Sequence, residues 1–243
     1  MAAKDKIILA LDVSSENEAV DLVKELKDCV GAFKIGLELF TSTGPRIFEI
    51  VRNAGAEKIF FDGKFHDIPN TVAGAARAAV RMGVWMFNVH ASGGSEMMRA
   101  ASDAAGDEAH KLGAEAPLII GVTILTSISA EMLREELLIS VPLESQVTNM
   151  ARLSQNAGLN GVVASPQEIV TIKAACGSKF LVVTPGVRPT WAAANDQKRI
   201  MTPAEAVRNG ADYLVIGRAV TGANDRCAAA KSIISELKEE SML

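Results

Sequence analysis

Short apolar runs alternate with amphipathic stretches from one end of the chain to the other. Continuous apolar segments at residues 6–12, 32–36, 58–62, 85–90, 118–125, 161–164, 180–184 and 213–217 predict eight strands. Most are continuous apolar runs, which is the form of strands buried on both sides. Their spacing leaves room for a strand, a loop, a helix and a return loop in each repeat. Between the first two runs, Ser15 is placed to cap a helix whose Ala19, Leu22, Val23 and Leu26 share one face. Pro45 opens another helix, carrying Ile47, Ile50 and Val51, and Gly55 stands where it would end. Gly83, Gly158 and Gly210 close later helices in the same manner. A last helix over residues 225–239 presents Ala230, Ile233, Ile234 and Leu237.

Eight strand–helix units with no linker or low-complexity stretch predict one domain over residues 1–243, an α/β chain folded as a (β/α)8 TIM barrel. The 243 residues are close to the size typical of that fold. A doubly wound open sheet is built from the same units. Eight units in this length favour closure into a ring.

Composition narrows the class. The chain is 49% hydrophobic but only 5% aromatic, so aliphatic side chains must fill the core. Its net charge is −4 with acids and bases interspersed, which excludes the basic stripe of a nucleic-acid or membrane-surface binder. A local cluster holding one small anion remains compatible. The polar start runs straight into an apolar strand and shows no signal peptide. The run at 118–125 is too short to cross a bilayer, and a cytoplasmic protein is expected. Cys29, Cys176 and Cys227 are far apart, with no C-x-x-C pair and no metal spacing. Reduced, unpaired thiols are the expectation. No P-loop, G-x-G-x-x-G or G-x-S-x-G occurs.

In a barrel, functional residues stand at the C-terminal ends of the strands. The first predicted strand ends in Asp12, the second carries Lys34, and the third runs into Asp62-Gly63-Lys64, with Asp67 in the loop beyond. Asp62 and Lys64 are two apart, so extended backbone would point both the same way. Any one of these charges alone is more often a solvated loop residue or a helix cap. Five of them on three consecutive strand ends form a set that can fix ionisation states and position a proton donor. After the seventh and eighth strands come Thr184-Pro185-Gly186-Val187-Arg188-Pro189 and Ile216-Gly217-Arg218. Those two loops are the recurrent phosphate site of barrels: glycines admit close approach and the arginines offer forked donors. His66 fits loop packing, His90 a supporting place at the mouth, and His110 a solvent-facing position. The three histidines and three cysteines make no zinc constellation.

The run Asp62-Gly63-Lys64-Phe65-His66-Asp67-Ile68-Pro69-Asn70-Thr71 resembles the D-x-K-x-x-D-I-P-x-T signature of the orotidine 5′-monophosphate decarboxylase family. Leu9-Ala10-Leu11-Asp12, Phe33-Lys34-Ile35-Gly36, the segment 122–127, T-P-G-V-R-P at 184–189, Asp196-Gln197-Lys198-Arg199 and Ile216-Gly217-Arg218 extend the resemblance over nearly the whole chain. The resemblance implies a cofactor-free, metal-free homodimer that converts orotidine 5′-monophosphate to UMP and CO2, the last step of UMP biosynthesis. Lys64 would donate the proton within a charge network of Lys34, Asp62, Lys64 and the partner chain's copy of Asp67. Asp12 and Lys34 would bind the ribose, with Ile68 and Thr71 arriving from the partner chain. Thr126 or Ser127 would meet the pyrimidine edge, and Gln197 would bridge base and phosphate. Arg188, Gly217 and Arg218 would hold the phosphate, and residues 186–197, with Trp191, would form a lid.

D-x-K-x-x-D is shared with Mg2+-dependent decarboxylases of sugar phosphates such as 3-keto-gulonate 6-phosphate, so that element alone does not separate them. The I-P-N-T continuation and the Gln197/Arg218 pairing favour the nucleotide. A non-catalytic nucleotide-binding barrel would need the phosphate loops but not the paired charges of the third strand.

Overall fold

Eight parallel strands close into a ring, each paired with the next in chain order and the last with the first, in a computed structural model that describes residues 2–191 and 201–240. The strands are β1 (Ile7–Leu11), β2 (Ala32–Ile35), β3 (Ile59–Phe65), β4 (Met86–His90), β5 (Leu118–Val122), β6 (Gly161–Val163), β7 (Leu181–Thr184) and β8 (Tyr213–Ile216). The helices, in order, are α1 (Glu16–Leu26), α2 (Leu37–Thr43), α3 (Ile47–Asn53), α4 (Pro69–Arg81), α5 (Gly94–Leu112) and α6 (Ala130–Glu135). They continue with α7 (Leu143–Asn156), α8 (Ile169–Cys176), α9 (Pro203–Arg208), α10 (Arg218–Thr221) and α11 (Arg226–Glu240). The expected (β/α)8 barrel is present.

Several expected signals act as read. The Ser15 hydroxyl accepts a hydrogen bond from the Glu18 N–H at the start of α1, and Ala19, Leu22, Val23 and Leu26 are its buried residues. Pro69 sits in the first turn of α4, where its missing N–H costs nothing. α2 and the one-turn α10 were not anticipated from the pattern. Both are short helices that begin directly after a strand, too brief for a periodicity to register.

The hydrophobic residues divide into two cores because a strand alternates its side chains. Outward positions such as Leu9, Ile35, Phe61, Phe87, Val162 and Ile216 pack against the helices. Inward positions Ile8, Ala32, Phe60, Met86, Ile120, Val183 and Tyr213 fill the barrel itself. Each fully buried side chain of this size contributes roughly 1.5–3 kcal/mol. Trp85 and Tyr213 meet edge to face at 5.2 Å within that inner core. Continuing the same inward alternation toward the strands' C-terminal ends, the residues become Ala10, Asp12, Lys34, Asp62, Asn88 and His90 on the first four strands. On the other side they become Val122, Val163, Pro185, Val215 and Gly217. Half of the mouth is therefore charged and half apolar.

One expectation is corrected. Cys29, just after α1, and Cys227, in α11, are joined as a disulfide with their Cα atoms 6.3 Å apart. A sequence separation of 198 hides a proximity that arises only when ring closure lays α11 beside α1. Cys176 is free and half-buried, and burial pushes its thiol pKa up against the opposing charge of Arg152.

Candidate active site

β3 departs from regular strand geometry where its charges begin. Phe61 pairs with Phe87 and Phe65 with Val89, so β3 advances from 61 to 65 while β4 advances from 87 to 89. Asp62, Gly63 and Lys64 consequently face Asn88 alone. Within this bulge Lys64 takes a left-handed backbone with φ 49°, a conformation that costs a side-chain-bearing residue roughly 1–2 kcal/mol. Gly63 keeps the bulge free of a clash: a Cβ there would lie 2.9 Å from the Phe61 ring and 3.0 Å from that of Phe65, so one ring would have to shift. Asp62 and Lys64 do meet, as expected, but through the bulge and not through simple two-residue alternation.

The charges form a chain. Lys34 Nζ lies 3.1 Å from Asp12 Oδ1 and 3.3 Å from Asp62 Oδ2, and Lys64 Nζ donates to Asp62 Oδ1 at 2.7 Å. Gly36 leaves the space this requires, since a Cβ there would stand 3.0 Å from the Lys34 ammonium. Burial disfavours the charge on Lys34, but Asp62 and then Asp12 outweigh it and hold its pKa above the ordinary lysine value. Burial likewise opposes ionisation of Asp62. The Lys34 and Lys64 charges, with hydrogen bonds from Lys64 and Asn88, overcome it and hold that carboxyl below the usual range. Both are cases of a desolvated charge kept ionised by fixed opposite neighbours.

A cleft of about 270 Å³ opens above this chain. Asp12, Lys34, Asp62 and Lys64 line one side, Pro185, Gly186, Arg188, Gly217 and Arg218 another, and Val122, Ile124 and Thr126 the apolar wall between. Gly186 needs its φ of 78° to make the turn after β7. Arg188 is buried, anchored through its N–H to the Met201 carbonyl, and Arg218 is exposed at the start of α10. Thr126 lines the cleft, while its neighbour Ser127 is exposed outside the lining.

Asp67, Ile68 and Thr71 are exposed and lie outside the cleft lining. The Asp67 carboxylate accepts the Ile68 N–H at 2.6 Å, and Ile68 is 66% exposed despite being apolar. Gln197, with Asp196, Lys198, Arg199 and the second half of the expected lid, lies outside the described residues; Trp191 is half exposed. His66 and His90 lie with ring centroids 5.3 Å apart. Burial lowers the His90 pKa, and the charges of His66 and Lys64 push the same way against Asp62. His110 is exposed, as expected.

Asn88 was not singled out from the sequence. Its signal was an amide at an inward position within the apolar run Phe87-Asn88-Val89. It is 1% exposed, its carbonyl accepts the Lys64 N–H at 2.7 Å, and its NH2 donates to Asp62 Oδ1 at 2.7 Å.

Comparison with known proteins finds relatives in both sequence and fold. Residues 5–233 match the family described as orotidine 5′-phosphate decarboxylase / HUMPS. A protein named orotidine 5′-phosphate decarboxylase from Syntrophomonas wolfei is 52% identical over 240 residues, covering 98% of this chain and all of that one. Its namesake from Moorella thermoacetica is 54% identical over 238 residues, covering 98% of this chain and 94% of the relative. The crystal structure of orotidine 5′-phosphate decarboxylase from Lactobacillus acidophilus superposes with a TM-score of 0.84 at 35% identity, covering 95% of this chain and 98% of that one. Matched in sequence and in fold over nearly its whole length, the chain belongs to the orotidine 5′-phosphate decarboxylase / HUMPS family.

Proposed function

We propose that this enzyme decarboxylates orotidine 5′-monophosphate to UMP and CO2 in pyrimidine biosynthesis, with Lys64 delivering the proton. The observation that carries this is the cleft itself. A fixed Asp12–Lys34–Asp62–Lys64 charge chain faces an anion-holding rim of Gly186, Arg188, Gly217 and Arg218 across an apolar wall. Family membership and relatives of that name at about half identity support it.

The chemistry explains the residue types. Breaking the C6–carboxylate bond releases CO2 and leaves its electron pair on C6, in the ring plane, where the ring carbonyls delocalise it poorly. A cation fixed beside C6 is the remaining means of stabilisation, and it needs no reorganisation as charge develops. Lys64, held by Asp62, is that cation, and its N–H then protonates C6. Asp62 faces the departing carboxylate and disfavours the charged ground state. Asp12 and Lys34 bind the ribose, Thr126 meets the pyrimidine, and Arg188, Arg218 and the Gly217 backbone take the phosphate. The phosphate lies far from the reacting bond and supplies binding energy that orders the site. Gln197 bridges base and phosphate.

The working unit is a homodimer with shared sites, no cofactor and no metal. Asp67, Ile68 and Thr71 are exposed and follow the charge chain in sequence yet do not line their own cleft, which suits residues that complete a neighbour's site. The test is the fall in orotate-type ultraviolet absorbance on adding orotidine 5′-monophosphate. Turnover that persists after dialysis against chelator is expected. Turnover that needs Mg2+ restored, or none at all, overturns the proposal.

A further inference from the structure

We infer that Asn88 is a positioning residue for the decarboxylation, the cross-brace that holds Lys64 in its left-handed backbone and aims the Asp62 carboxylate at the same time. The inference rests on the roles just given to Lys64 and Asp62. In a regular parallel pair the N–H of a β3 residue finds a carbonyl on its neighbour strand. The bulge takes the Lys64 N–H out of that ladder, since three residues of β3 face one of β4. The Asn88 side-chain carbonyl replaces the lost acceptor, 2.7 Å from the Lys64 nitrogen. The other end of the same amide donates to Asp62 Oδ1, also at 2.7 Å. That oxygen is the one that accepts from Lys64 Nζ.

The amide orientation is dictated by its partners. A backbone N–H can meet only the carbonyl end, and an ionised carboxylate only the NH2 end. Lys64 is thus gripped at both ends, by its backbone directly and by its ammonium through Asp62. Among the described residues only Leu138 shares a positive φ without being glycine, so the strained backbone and its support coincide at the proton donor. No other side chain of this size serves both partners. Aspartate keeps the acceptor for Lys64 but sets a second carboxylate against Asp62. Leucine and alanine leave the part-buried Lys64 N–H without this acceptor, a loss that a partly desolvated donor does not tolerate cheaply.

The test compares wild type with Asn88→Ala and Asn88→Asp for kcat, for dissociation of UMP and for the pH profile. The crystal structure of Asn88→Ala is the readout independent of turnover. Both variants are expected to lose ~100-fold or more in kcat, the cost of misplacing a reacting group by about 1 Å. UMP, anchored across the cleft, should dissociate within about fivefold of the wild-type constant, which separates positioning from binding. In Asn88→Asp the acid limb of kcat should move to higher pH, because the paired carboxylates share a proton. The Asn88→Ala structure should show Lys64 out of the left-handed region. The inference is overturned if kcat of Asn88→Ala stays near wild type, if Lys64 is unmoved in that structure, or if neither variant binds UMP, which would make Asn88 a support of the fold. A wild-type protein without turnover would defeat the functional proposal instead, and the Lys64 backbone in the variant structure would still decide the role of Asn88.

Discussion

Lys64 keeps its place through partners more than through burial: its side chain is 28% exposed, while Asp62 lies 2.7 Å away. Lys64→Ala should therefore cut kcat by several orders of magnitude and leave UMP binding nearly intact. Turnover close to wild type would remove it from the donor role. Arg218→Ala belongs to the opposite rim and should act mainly on KM, through lost phosphate binding, with a smaller change in kcat. The pH behaviour follows from Asp62. Its folded pKa is depressed, so the stabilisation it provides is complete above the ordinary carboxylate value and is lost as pH falls through the lowered one. Lys34 is the mirror case, its contribution present below the ordinary lysine value and lost as pH rises through the raised one. Melting temperature measured against pH should decline less steeply on the acid side for Asp62→Asn than for wild type; equal slopes would contradict the shift. At this scale the sequence was informative. Asp12, Lys34, Asp62, Lys64, Thr126, Arg188, Gly217 and Arg218 were all named from strand-end positions or family motif, and all line one cleft. Asn88 was missed because an amide in an apolar strand looks the same whether it braces a site or merely satisfies itself.

The decisive element is β3. Its first three residues are an ordinary apolar strand and its last four carry the chemistry on irregular backbone. Periodicity placed the strand's end at residue 62, because hydrophobicity stops there while the pairing continues to Phe65. A left-handed lysine leaves no mark in a pattern of apolar and polar positions. Phe40, Phe48, Phe61, Phe65 and Phe87 form a run of ring contacts, with centroids 4.8–6.0 Å apart, that holds the outer side of the bulge. Gly63→Ala inserts a methyl between two of those rings and should destabilise by about 1–3 kcal/mol. A drop in kcat larger than Arg218→Ala produces should accompany the lowered melting temperature, since the shift is passed to Lys64. An unchanged melting temperature and kcat would show that the rings give way freely.

For the whole molecule, the shared-site proposal makes a distinct prediction. Lys64→Ala and Asp67→Ala subunits, each inactive alone, should regain activity when mixed, because one of the two sites in a mixed dimer has both residues intact. Proven subunit exchange with no recovered activity would confine each site to one chain.

The sequence by itself determined the barrel, its helix caps and most of the residues at the mouth. These depend on local chemistry: two-residue and 3.6-residue periodicity, capping side chains, and charges at the ends of apolar strands. Tertiary structure alone decided that Cys29 meets Cys227, that Asn88 contacts both Lys64 and Asp62, that Thr126 and not Ser127 lines the cleft, and that Asp67 is exposed outside the cleft lining. Each of these depends on which strand and which register lies alongside, and adjacency across a closed ring comes into being only when the last strand pairs with the first.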